Sequence, residues 1–192
     1  MSTYTDFVAM TEVEAADYLL GFLDEMDSCL DRFRSAIQVD LTFSPESLTS
    51  VWNAVLPSIG WRPGWNSPTD GRRGTLIPEA AIESADLLPS WFHHPSGVGY
   101  ARFSIQTLWL IDGLGRYLGE ILVRSGLGQW KAGASTLEGY NFQNQPVVVG
   151  ATTDPVSPIQ SCAVVVSRAL GRSAGRGPGS PGDLYKAWGI GR

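Results

Sequence analysis

Near the start of the chain, Ala16, Leu19, Leu23, Met26, Leu30, Phe33 and Ile37 recur at alternating spacings of three and four. That rhythm predicts a helix with an apolar stripe of coiled-coil type. Thr11-Glu12-Val13-Glu14 supplies a capping box at its start. A helix running from there to Ile37 would be about 40 Å long at 1.5 Å per residue. Leu20 and Phe22 widen the stripe. This favours packing against the rest of the chain over pairing with a second copy.

Further elements follow from the same reading. Ser44 and Pro45 suit the start of a second helix over 44–57, with Leu48, Val51, Trp52, Val55 and Leu56 on its buried face. Proline and glycine punctuate residues 57–75 as loop, and a brief helix is expected over 78–88. A central helix is predicted over 104–126, with Leu108, Ile111, Gly115, Leu118 and Leu122 along one side and Gly126 as its stop. Gly115 and Gly119, four apart, would let another element approach closely. Strands are expected at 129–133 and 146–151, and a helix over 158–170. Residues 171–182 have the composition of a flexible linker. The tail 183–192 is expected to dock through Leu184, Tyr185 and Trp188, or to be disordered. The sum is a single α+β domain over 1–170, in which a long acidic helix (within 1–38) and further helices pack on a small, mostly antiparallel sheet.

Charge changes this picture most. Asp6, Glu12, Glu14, Asp17, Asp24, Glu25, Asp27 and Asp31 precede the first basic residue, Arg32. The chain as a whole is −5, so everything after Asp31 is net positive. An imbalance of this kind bears on partners more than on chemistry. A net negative chain argues against nonspecific nucleic-acid binding. Residues 108–114 and 162–166 are the longest apolar runs, far short of a membrane span. No basic and apolar leader opens the chain, and Cys29 and Cys162 fit two buried thiols in a reducing cytoplasm. Whether they meet depends on the fold.

Candidate chemistry is sparse. Asp24, Asp27 and Asp31 share a helical face, as a hard cation would require. A phosphate-hydrolysing site needs a second acidic helix opposite, and Glu79, Glu83 and Asp86 form only a short group. His93 and His94 are the only histidines, too few for a metal site. The glycine-rich stretch 171–182 lacks the Gly-Lys-Ser/Thr ending of a P-loop. Asp112, Arg116, Glu120 and Arg124 alternate in sign at i, i+4 spacing. Such a ladder reads as a surface row or as a buried polar track. Glu120, beside Gly119, is placed to accept from a strand backbone or a tryptophan N–H.

The segment Leu110-Ile111-Asp112-Gly113-Leu114-Gly115-Arg116-Tyr117-Leu118-Gly119-Glu120, followed by Gly128-Gln129-Trp130, resembles small uncharacterised bacterial domains, some found near toxin–immunity and defence systems. The resemblance spans residues 108–151. It implies an α+β domain with Glu120 and Trp130 at a helix–strand junction, and no catalytic residue. The leading expectation is therefore a cytoplasmic, non-catalytic binding protein of immunity type that needs no cofactor and engages neither nucleic acid nor membrane. Asp17, Asp24, Glu25, Asp27 and Asp31 would dock on a basic protein partner. The alternatives are a homo-oligomer assembled through the apolar stripe and, more weakly, a metal-dependent hydrolase.

Overall fold

A computed structural model describes residues 5–65, 85–92, 100–135, 140–171 and 177–188. Its elements are α1 (Glu12–Asp24), α2 (Met26–Ile37), α3 (Ser47–Val55), α4 (Ile105–Arg124), β1 (Gln129–Ala132), β2 (Pro146–Val149), α5 (Pro158–Gly171) and α6 (Pro181–Ala187). The architecture is α+β, with helices packed about a small antiparallel sheet.

The centre is α4. Every residue from Leu110 to Gly119 is buried, because α2, α5 and β1 surround it. A helix covered on several sides needs apolar or very small residues all round. Gly115 supplies the space for α5, since a Cβ there would stand 2.6 Å from Ile159 Cα. Gly119 does the same for the Trp130 indole of β1. The two glycines therefore admit two different elements. The ends of α4 are those the sequence predicts. The Ser104 hydroxyl accepts from the Thr107 amide. Gly126, at φ +70°, closes a Schellman turn in which its own amide donates to Val123 O and that of Leu127 to Leu122 O, each at 3.0 Å.

β1 and β2 pair antiparallel, Gln129 opposite Val149 and Ala132 opposite Pro146. Asn144, in the left-handed region at φ 61°, precedes β2 and is buried. Its Nδ2 donates to the carbonyls of Phe7 (2.8 Å) and Met10 (2.9 Å), tying the segment before α1 to this hairpin. The capping box that opens α1 is formed: Thr11 N donates to Glu14 Oε2 at 2.8 Å and Glu14 N to Thr11 Oγ1 at 3.3 Å.

Several expectations change. The single long helix is broken at Glu25 into α1 and α2. Its stripe also divides. Met26, Leu30, Phe33 and Ile37 are buried as expected, but α1 buries Ala15 and Phe22 and leaves Ala16 and Leu20 exposed. Aromatic contacts set that phase. Phe22 packs on Trp130 at 5.2 Å between centroids and Tyr18 on Phe7 at 5.0 Å, and rings bury more area than the alanine and leucine they displace. The second helix starts at Ser47 rather than Ser44: Phe43 is left-handed (φ 56°), and the Ser44 carbonyl closes a turn with Ser47 N. The end of the expected linker belongs to α6, where Ser180 caps and Pro181 opens the helix that seats Leu184 against α3 and α5. Among residues 78–88, Ala85–Leu87 form a 3-10 turn, and 78–84 lie outside the described residues.

Candidate functional site

The polar ladder of α4 has two unlike halves. Asp112 and Arg116 are 2% and 1% exposed. Arg116 Nε donates to Asp112 Oδ1 at 2.9 Å, and its Nη1 donates to the Phe22 carbonyl at 2.6 Å. Nη2 stands 3.5 Å from Glu25 Oε2, and the guanidinium lies 3.8 Å over the Phe22 ring. A buried charge is tolerated when its donors are met in this way. The contact also accounts for the helix break. A donor inserted at a helix carbonyl competes with the i→i+4 ladder, and kinks arise at such points. Burial pushes the Asp112 carboxyl above its ordinary value, while Arg116 pulls against it.

At the other half, Arg124 Nε donates to Glu120 Oε2 at 3.0 Å, and Trp130 Nε1 donates to Glu120 Oε1 at 3.0 Å. Each carboxylate oxygen thus has its own donor. The Arg124 guanidinium also lies 3.6 Å over the Phe43 ring. Glu120 and Trp130 meet at the helix–strand junction, where they hold β1 to α4.

The acidic residues that sequence reasoning singled out are all exposed: Asp17 and Asp24 on α1, Glu25 at the break, Asp27 and Asp31 on α2. They occupy two helices and the junction between them, not one straight face. Asp31 pairs with Arg34 at 3.0 Å. Glu25 turns inward to Arg116 and accepts from Ser90 Oγ at 3.4 Å. Asp17, Asp24 and Asp27 form no ion pair among the described residues. Among the described residues no three His, Cys, Asp or Glu side chains converge on a metal position. His93, His94, Glu79 and Glu83 lie outside the described residues.

Beside this face a groove runs between α2 and α4. Arg32 lies 4.1 Å over the Trp109 ring at its mouth, and Trp109 Nε1 donates to Leu87 O at 3.1 Å. Asp112 and Cys29 form the floor. Burial pushes the Cys29 thiol up, so it has no activated-thiolate character. Cys162 is fully buried in α5, its pKa is also raised by burial, and both thiols are free. The groove eluded sequence reading because Arg32 and Trp109 are distant along the chain and neither belongs to a motif. The alternating ladder was the one available signal for its floor.

No family model, curated protein or solved structure matches this chain. Among the described residues no helix is long and apolar enough to cross a membrane.

Proposed function

We propose that this chain is a non-catalytic, cytoplasmic protein-binding module of immunity type, whose acidic α1–α2 surface docks on a basic protein. The observation that carries the reading is the exposure of Asp17, Asp24, Glu25, Asp27 and Asp31 on helices whose opposite faces are anchored in the core. Like charges three and four residues apart each weaken a helix by about 0.2–0.5 kcal/mol. Here Phe22, Met26, Leu30, Phe33 and Ile37 hold the segment from behind, so Asp17, Asp24 and Asp27 can stay without a cationic partner. A field of one sign speeds encounter with an opposite surface and selects against acidic partners.

The self-assembly alternative is less favoured, because the C-terminal half of the stripe is spent on this chain's own core. The experiment is affinity capture from the native host's lysate at low and high salt, with wild type beside the Asp24→Lys/Asp27→Lys/Asp31→Lys variant. A basic protein held by wild type, and lost with the variant or in salt, is the expected result. Equal capture by the variant would end the reading. Recovery of the bait alone would favour self-assembly.

A further inference from the structure

The groove beside the acidic face is a site in its own right. The Arg32–Trp109 stack divides it into two lobes that share Cys29, Arg32, Trp109 and Asp112. One lobe, with a volume of about 310 Å³, brings in Glu25 and Asp86. The other, about 220 Å³, is walled by Phe33, Ala36 and Leu110. Three carboxylates therefore face the groove against two guanidinium groups. Arg116 is committed, since its donors are taken by Asp112 and the Phe22 carbonyl. Arg32 is not. It forms no ion pair among the described residues, and its polar contact is the Cys29 sulfur at 3.9 Å. What holds it is the indole face beneath it and the nearby negative field of Asp112. A planar guanidinium on an indole, with carboxylates at its rim, is a general solution for binding an arginine side chain.

We infer that this groove is a pocket for an arginine side chain of the basic partner, with Arg32 as its resident stand-in. The incoming guanidinium stacks on Trp109 and faces Glu25, Asp86 and Asp112. Its methylene stem lies along Phe33, Ala36 and Leu110, as long cationic side chains lay their stems on apolar surface. Arg32 is exposed on the solvent side of α2 and swings out to make room. The inference rests on the acidic-face reading for the nature of the partner but not for the pocket itself.

The test uses N-acetyl-arginine amide as probe and its uncharged isostere, N-acetyl-citrulline amide, as control, with binding to the full chain read from the backbone amide resonances of Cys29, Phe33, Leu110 and Asp112, which line the groove. Arg32→Ala removes the stand-in and is expected to tighten probe binding about ten-fold, from the loss of a competing cation–π contact. Asp86→Asn, at an exposed position, is expected to weaken it about three-fold, the scale of one partly screened charge. Trp109→Leu in the Arg32→Ala background should abolish binding with the fold intact by circular dichroism. Unchanged or weaker binding by Arg32→Ala, or equal binding of the citrulline control, would overturn the pocket. The Asp24→Lys/Asp27→Lys/Asp31→Lys variant separates the two claims. Its three positions lie outside the groove, so it should keep probe binding while losing the basic partner. A Trp109→Leu chain that binds the partner as wild type does would end the pocket and leave the acidic face standing.

Discussion

Two ion pairs on α4 share one sequence pattern and live in different media. Asp112–Arg116 and Glu120–Arg124 both set a carboxylate four residues ahead of an arginine, and both close at 2.9–3.0 Å. The first pair is buried beneath the α1–α2 break. In the second, the side chains are 13% and 46% exposed. The inner pair fixes the shape of the acidic segment, because Arg116 reaches a carbonyl 94 residues away in sequence. The outer pair fastens a strand to the helix through Trp130. Spacing along a helix thus says that two charges can meet; what packs over them decides what the meeting is worth.

Removing one partner of each pair separates the two most strongly. Arg116→Met strands a buried carboxylate and should cost about 3–5 kcal/mol in urea unfolding. Adding Asp112→Leu should recover most of that loss, because two apolar side chains in place of a buried pair are often neutral or better. Acidity sharpens the same point. The folded Asp112 carboxyl is raised above its ordinary value. Its favourable contribution is therefore fully present below the ordinary aspartate value and is lost as pH rises through the raised one. Melting temperatures of wild type and Asp112→Asn, compared across that window, should show wild type gaining relative stability as pH falls.

Smaller effects belong to the outer pair. Gly119→Ala drives a methyl group into the Trp130 indole and should cost about 1–3 kcal/mol. Trp130→Phe keeps the ring but leaves Glu120 one donor short, for about 1–2 kcal/mol on chemical denaturation. Arg124→Ala should cost no more than about 0.5 kcal/mol, and the difference should fade with added salt. If Arg124→Ala proved as damaging as Arg116→Met, the contrast between the two halves would be wrong.

Much of the fold could be read from local signals. The capping box at Thr11, the stop of α4 at Gly126 and the two strands each depend on residues close in sequence. The break at Glu25 could not be read this way. The apolar rhythm continues through it, and its cause lies on α4. The phase of α1 was hidden for the same reason, since the rings that choose Phe22 over Leu23 come from Trp130 and the segment before the helix. Of the candidate site, the exposed carboxylates were legible because a run of acids seldom lies inside a core. The inward turn of Glu25 and the Arg32–Trp109 groove were not, because both are products of tertiary packing.

A kinked acidic surface, set from beneath by Arg116, is what we propose captures a basic protein. The most direct measurement is the affinity of the captured partner for wild type and for the Asp24→Lys/Asp27→Lys/Asp31→Lys variant, each at low and high salt and each checked for an unchanged fold. The expected result is at least about a ten-fold loss in the variant at low salt, and a wild-type affinity that falls steeply as salt is added. Equal affinities, insensitive to salt, would contradict it.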